Sequence, residues 1–465
     1  MLGMGNMRQW LMNISLVGGW FPAAAFAVVA VLSVILLVSA AVSKRDGRIL
    51  ATVLPIGVEA VSGMVGYVVA WLLSDVFVVF GVGLGSCDVL GGGWFRHRWF
   101  RHRAYRVEQG HDARAAAILT VFAILAAAIG IDQSYGEYAT IGSLFGEDSY
   151  SQADLTGLAK RKDLITVAQW RKQAANGTIR NIPANGTVNK IDIPATKSQF
   201  EARKALVYLP PAALADSKRK PALPVVLMLS GQPGSPGRVF QAGGIQTMMD
   251  GYAKTHDGLA PIVIAADQLG ADSHNTLCVD SKVYGNALTY LTQDVVDWVK
   301  TNLPAAQDAK DWAIAGFSQG ATCSLQIGVN HPDLFGTMIP TDSEIKPTNG
   351  SRQEMIDRFF DGDTTAYENQ VPVNAIRNHA PTHQMLIIGA GEKDTTSIRN
   401  VKTIAPVAAK AGMRVAAVES SGNAHDWHAV QDVLRYGLAV FGHDTGLDGA
   451  NPNLSDYPNL KRITI

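Results

Sequence analysis

The pattern of apolar and polar positions divides the chain into two textures. Up to residue 131 apolar residues run in long uncharged blocks, whereas from Thr187 onward they fall into short runs separated by amphipathic and turn-rich stretches. Residues 21–42 carry no charge over 22 positions, long enough to cross a hydrocarbon core of about 30 Å as a helix. Residues 49–95 are again mostly apolar, interrupted only by Glu59, Asp75 and Asp88, and suffice for two crossings with a turn near Ser74 and Asp75. Residues 113–131 form a further span. Basic clusters at Lys44, Arg45 and Arg48, and at Arg96, Arg98, Arg101, Arg103 and Arg106, follow the first and precede the last of these blocks. If both clusters face the cytoplasm, parity predicts about four transmembrane helices, with everything after Ile131 outside. Three helices, with residues 76–95 in the interface, is the competing count.

Residues 132–186 are polar and mixed, with one helical stretch over 164–175, and read as a connector. Then the period changes. Val188 to Ile193 alternates apolar with polar residues, and Ala205 to Leu209 ends at Pro210-Pro211, which predicts two strands and a turn. Residues 224–229, 262–267, 313–316, 338–340, 385–389 and 415–418 are continuous apolar runs, as expected of strands buried on both faces. Helical patterns lie between them, notably over 284–303 and 405–411. Buried strands alternating with helices predict an α/β layered domain with a mostly parallel sheet over residues 187–465.

The run at 313–316 ends in Gly316-Phe317-Ser318-Gln319-Gly320, after which Ala- and Leu-containing sequence can continue as a helix. Gly-x-Ser-x-Gly between strand and helix is the setting of a nucleophile elbow: the turn raises the Ser318 hydroxyl above the sheet, and glycines two residues to either side avoid collision. The motif alone also occurs as an ordinary turn, so the strand before it and the helix after it carry the reading. Two later strand ends supply the remaining chemistry. After residue 388 comes Gly389-Ala390-Gly391-Glu392-Lys393-Asp394, and after residue 418 comes Gly422-Asn423-Ala424-His425-Asp426-Trp427-His428. Serine, acid and histidine in that chain order are the order of the α/β-hydrolase triad. A serine hydroxyl is a weak nucleophile at neutral pH, so an imidazole must take its proton, and His425 is the candidate. A carboxylate on the far ring nitrogen fixes the tautomer. Asp394 is the expected acid and Glu392 the reserve; Asp342 and Glu344, after an earlier strand, rank below them. His379, His383 and His428 read as non-catalytic, and no metal-ligand spacing recruits them. Oxyanion donors are expected from a backbone N–H of the loop Gly231-Gln232-Pro233-Gly234, after residue 229, and from that of Gln319, at the start of the helix.

Forty basic residues balance forty acidic ones, so no overall field favours nucleic acid. Neither a cofactor motif nor a metal motif is expected. Of the three cysteines, Cys87 falls in an expected span; Cys278 and Cys323 either pair across an oxidising compartment or remain two buried thiols. The sequons at Asn176 and Asn185 matter only in a glycosylating host.

From about residue 187 to 442 the chain resembles the esterase D family, which includes S-formylglutathione hydrolases, feruloyl-esterase-like enzymes and mycolyltransferases. The resemblance is carried by Phe200-Glu-Ala-Arg-Lys-Ala-Leu-Val-Tyr-Leu-Pro-Pro211, Gly316-Phe-Ser-Gln-Gly320, Gly391-Glu-Lys-Asp394 and His425-Asp-Trp427. It implies an α/β-hydrolase fold, Ser318 as nucleophile, Asp394 as acid, His425 as base, and backbone oxyanion donors at Gln232 and Gln319. Mycolyltransferases use a glutamate as acid, so Asp394 leans toward the hydrolase branch. The loop Ser230-Gly231-Gln232 lacks the His-Gly that many members show. Membrane helices ahead of such a domain, followed by Gln133-Ser-Tyr-Gly-Glu-Tyr-Ala-Thr140, also resemble bacterial membrane esterases that act on cell-envelope lipids, including aminoacylated phosphatidylglycerol. The expectation is therefore a multi-pass protein of the cytoplasmic membrane whose extracytoplasmic serine esterase domain meets an amphiphilic or lipid ester. Acyl transfer to a sugar or lipid hydroxyl is the second reading, and a non-catalytic binding protein on a hydrolase fold is the third.

Overall fold

The computed structural model describes residues 4–42, 109–145, 147–148, 150–159 and 163–465. The chain divides into two compact units, Met1–Ile141 and Gly142–Ile465. In the first, helices α1 (Met4–Met12), α2 (Trp20–Val42) and α3 (Gln109–Tyr135) are described. Leu16, Ala25 and Ile129 are buried together, while Ile118, Val121, Ile124 and Leu125 on α3 are exposed. Among the described residues, one helical window, Ile118–Tyr135, is long and apolar enough to cross a membrane, and Trp20–Ser33 is a shorter apolar stretch. The expected bundle of about four transmembrane helices is thus not supported by the described residues. The two middle spans expected over 49–95, Glu59, Asp75, Cys87, Asp88 and both basic clusters lie outside them.

The second unit is built on a ten-stranded sheet. Its strands are β1 (Ser151–Gln152), β2 (Thr187–Ile191), β3 (Ala205–Leu209), β4 (Val225–Leu229), β5 (Ile262–Ala265), β6 (Trp312–Phe317), β7 (Thr337–Thr341), β8 (Met385–Gly391), β9 (Arg414–Ser420) and β10 (Leu460–Arg462). They lie in the order β1-β2-β3-β5-β4-β6-β7-β8-β9-β10. From β5 to β9 every neighbouring pair is parallel, and antiparallel pairing is confined to β3 with its neighbours and to β10. This is the expected α/β-hydrolase architecture. Residues 142–186, read from sequence as a connector, belong to the second unit: Ser151 and Gln152 extend the sheet beside β2, and Trp170 is completely buried in its core.

The continuous apolar runs are explained by burial on both faces. In β6, Trp312 and Ile314 join one core layer while Ala313, Ala315 and Phe317 join the other; in β4, Val225, Leu227 and Leu229 alternate with Val226 and Met228 in the same way. Fully burying a side chain such as Ile314 contributes roughly 1.5–3 kcal/mol. Helices α4 (Gln319–Asn330), α5 (Thr395–Lys410) and α6 (Trp427–Asp444) cover the faces and return the chain to the amino end of the sheet, so the carboxyl ends of β4, β6, β7, β8 and β9 gather at one rim. Cys278, in the loop after β5, is disulfide-bonded to Cys323 on α4, so of the two states expected for these cysteines the paired one is present.

Candidate active site

Ser318 sits at the turn between β6 and α4 with φ 55° and ψ −117°, a left-handed conformation that costs a non-glycine residue about 1–3 kcal/mol. The surrounding structure enforces it. Its N–H donates to the Thr341 carbonyl at 3.0 Å, and its own carbonyl accepts from Thr322 N–H at 3.0 Å as α4 begins. The two motif glycines permit the turn. A Cβ on Gly316 would lie 2.8 Å from the Ala321 nitrogen, and one on Gly320 would lie 2.6 Å from the Leu229 carbonyl oxygen and press on that of Ser230. The loop after β4 therefore passes directly over the elbow, and a Cβ on Gly231 would stand 3.6 Å from Ser318 Cβ.

Asp394 follows β8 and caps α5: Oδ1 accepts the N–H groups of Thr396 and Ser397 at 3.1 and 3.0 Å. Its other oxygen, Oδ2, is 2.7 Å from His425 Nδ1. Asp394 is buried and His425 about a quarter exposed, with side-chain exposures of 7% and 26%. Burial alone would raise the Asp394 carboxyl, but the His425 hydrogen bond and charge, with the Ser397 bonds, hold it down at about 2. Burial pushes His425 down, yet the Asp394 hydrogen bond and the charges of Asp342, Asp394 and Asp426 leave it raised. The loop carrying His425 packs so closely on β8 that a Cβ at Gly391 would lie 2.8 Å from the Asn423 carbonyl oxygen. The Phe317 ring, one residue before the serine, stands 4.9 Å from the imidazole and 5.0 Å from Trp427.

The structure therefore brings the three expected residues to one rim. With Nδ1 engaged by Asp394, the ring presents Nε2 as its free nitrogen. Among the described residues, neither the Ser318 hydroxyl nor His425 Nε2 makes a hydrogen bond. Glu392, the reserve acid, instead binds Lys461 Nζ and the Gly422 N–H. His379 bonds Asn330, and with His383 it precedes β8 at the opposite end of the sheet. An open depression of about 530 Å³ at that opposite end is lined by Lys310, His379, His383, Arg414 and Asp444 among others.

Gln268 and Asn275 were not singled out from the sequence. Gln268, after β5, donates to the Ser230 carbonyl at 2.7 Å and to Gln319 Oε1 at 3.2 Å, and Gln319 Nε2 donates to Asn275 Oδ1 at 3.3 Å. This buried chain ties the loop holding Gln232 to the first residue of α4. The signal was a polar pair, Asp267-Gln268, ending an apolar run. Asp342 is completely buried, with one oxygen on the Gly391 N–H at 2.9 Å, and burial first of all pushes it up to about 8 against the pull of His425. Glu344, half-buried nearby, is likewise pushed by burial to about 7. Asp342, Asp394 and His425 could in principle ligate an ion, since their donor atoms lie within 4.8 Å of one another. The short His425–Asp394 hydrogen bond already spends one donor atom of each on the other.

Residues 197–437 match the family model described as "Putative esterase". The chain belongs to this esterase family. An uncharacterized protein of Corynebacterium glutamicum is 33% identical over 306 residues, covering 64% of this chain and 68% of the relative. Among solved structures, an S-formylglutathione hydrolase from Agrobacterium tumefaciens is similar with a TM-score of 0.46 and 16% identity over 58% of this chain and 99% of that one. FphF, a fluorophosphonate-binding serine hydrolase of Staphylococcus aureus, gives 0.44 and 14% over 55% and 98%. MPT51 of Mycobacterium tuberculosis gives 0.40 and 14% over 55% and 98%. The esterase match covers the elbow, the Asp394 turn and the His425 loop, all of which lie within residues 197–437 of this family member.

Proposed function

We propose that this esterase is a serine hydrolase acting through an acyl-enzyme, with Ser318 as nucleophile, His425 as general base and Asp394 as its orienting carboxylate. Ser318 Oγ attacks the ester carbonyl as His425 Nε2 takes its proton. Asp394 holds the proton on Nδ1 and stabilises the imidazolium that forms. The N–H of Gln319 opens α4, where no intrahelical acceptor exists, and with the Gln232 N–H in the loop crossing Ser318 it receives the oxyanion. Collapse expels the alcohol, which takes the proton from His425, and water repeats the cycle on the acyl-enzyme. The observation that carries this reading is the 2.7 Å His425–Asp394 hydrogen bond at the rim where Ser318 is held at φ 55°.

The substrate we infer is an amphiphilic ester of the cell envelope, such as aminoacylated phosphatidylglycerol, met outside the cytoplasmic membrane by a tethered domain. Three observations support this. Ile118–Tyr135 is long and apolar enough to cross a bilayer, and its Ile118, Val121, Ile124 and Leu125 are exposed. The Cys278–Cys323 disulfide fits an oxidising compartment. The sequence after Ile131 resembles membrane esterases of such lipids. The test has two arms. Labelling by a fluorophosphonate probe should vanish in Ser318→Ala, and lipid extracts of cells carrying Ser318→Ala should accumulate the intact ester found in cells lacking the protein. Persistent labelling sinks the nucleophile; an unchanged lipid profile sinks the substrate.

A further inference from the structure

Asp342 is the group that this mechanism leaves unused. It follows β7, and its neighbour Thr341 supplies the carbonyl that holds the Ser318 N–H. Its backbone is left-handed at φ 54°, and its carboxyl is wholly enclosed. Oδ1 accepts the Gly391 N–H at 2.9 Å, whereas Oδ2 is buried without a hydrogen-bond partner among the described residues. One of its oxygens, one of Asp394 and a ring nitrogen of His425 all lie within 4.8 Å of one another. A residue needed only to accept from Gly391 could be asparagine, which tolerates this backbone and encloses no ionisable group.

The acidic groups facing the imidazole are Asp394, Asp342, Asp426 and Glu344, and those facing Asp342 are His425, Asp394 and Asp426. Asp426 spends both oxygens on the Ala424, His428 and Ala429 N–H groups as the cap of α6, and Glu344 lies at a partly exposed position. Asp342 alone among them is completely buried with an oxygen unspent, and one of its two oxygens lies within 4.8 Å of an imidazole nitrogen.

We propose that Asp342 is a positioning residue that shares one proton with His425, so that its carboxyl sets the pH at which the imidazole becomes available as a base. The two forms contain the same atoms and charge. In one, the imidazolium faces two carboxylates and cannot accept the serine proton; in the other, that proton is on Asp342, and neutral His425 faces the single charge of Asp394. Of the two, only the second is active; the first gains a neutral imidazole only by losing the shared proton to solvent, at a pH raised by the Asp342 charge. Removing the Asp342 charge abolishes the first form and lets His425 lose its proton at lower pH. With Asp394 replaced, Asp342 remains as the nearest enclosed carboxyl and supplies part of the lost support. This inference rests on Ser318 being the nucleophile.

The test measures the rate of fluorophosphonate labelling of Ser318 in the full chain across pH 5 to 10. The wild type is compared with Asp342→Asn, Asp394→Asn and the double variant. Asp342→Asn keeps the acceptor for Gly391 N–H and should move the midpoint of the rising limb downward by about one pH unit, the scale of one charge at about 4–6 Å. Asp394→Asn alone should label about tenfold faster than the double variant, the equivalent of one such unit. An unshifted midpoint in Asp342→Asn, or equal rates for Asp394→Asn and the double variant, overturns the proposal while leaving the serine mechanism standing. Failure of the wild type to label at Ser318 overturns both. Should the asparagine variant not fold, Asp342→Ser preserves an acceptor and gives the same comparison.

Discussion

Replacing Gly320 by alanine tests whether the glycines around Ser318 are required by contact rather than by chance. The added Cβ would lie 2.6 Å from the Leu229 carbonyl oxygen, where ordinary contact begins at 3.4 Å, and nearer still to that of Ser230. Backbone must therefore move by at least about 0.8 Å. Two rigid partners resist. Leu229 is paired in register with Gly316 across β4 and β6, and the Ser230 carbonyl is held by Gln268 at 2.7 Å. Overpacking of this kind costs about 1–3 kcal/mol, which in a domain of this size lowers the melting temperature by several degrees. The larger effect falls on chemistry. The strand end that must yield leads straight into the loop holding Gln232, and a misplacement of about 1 Å in a reacting geometry costs roughly 10²-fold. Calorimetry and the fluorophosphonate labelling rate on the same preparation separate the two effects. A Gly320→Ala protein that melts and labels like the wild type would refute the close approach of α4 to the β4 loop, and with it the argument for the oxyanion site.

Asp394 has two jobs that substitution can divide. Asp394→Asn keeps an N-cap for α5 but gives up the charge facing His425, and should lose roughly 10⁴-fold in turnover through the wrong imidazole tautomer; Asp394→Ala should lose a further ~1 kcal/mol of stability with the cap, read by thermal melting. The pH dependence of that pair has a definite sign. The depressed Asp394 contributes stability present above its ordinary 3.8 and lost as pH falls toward about 2, and the raised His425 contributes stability present below 6.5 and lost as pH rises through its folded value. The melting-temperature gap between wild type and Asp394→Ala should thus be widest between pH 4 and 6.5 and narrow on either side. A gap independent of pH would count against the ion pair. Reducing the Cys278–Cys323 bond, which closes a loop with a sequence separation of 45, should cost about 4 kcal/mol by chain entropy. Melting with and without reductant, against a Cys278→Ala/Cys323→Ala control insensitive to it, measures this.

What the sequence revealed and what it withheld follow from one physical distinction. Strands buried on both faces must be apolar throughout, so β4 to β9 were legible as runs, and the tight elbow leaves its two glycines in the sequence because backbone contacts there admit no side chain. Helix α5 was harder: its first turn, Thr395-Thr396-Ser397, has poor helix propensity, and only the Asp394 cap and the burial of Val401, Ile404, Ala405 and Ala408 extend it beyond the stretch 405–411 expected from pattern. The edge strands β1 and β10 are too short to display a period. Within the site, residues that act by position at a strand end were readable, because strand order in a parallel sheet fixes which ends meet. Residues that act by proximity to another side chain were not. Asp342 and Asp394 both follow strands, and only the register that sets Gly389 against both Thr341 and Val418 decides how they stand to His425. That register gives Asp394 the hydrogen bond and leaves Asp342 enclosed behind it, so sequence could rank the two acids but could not show that both reach one imidazole.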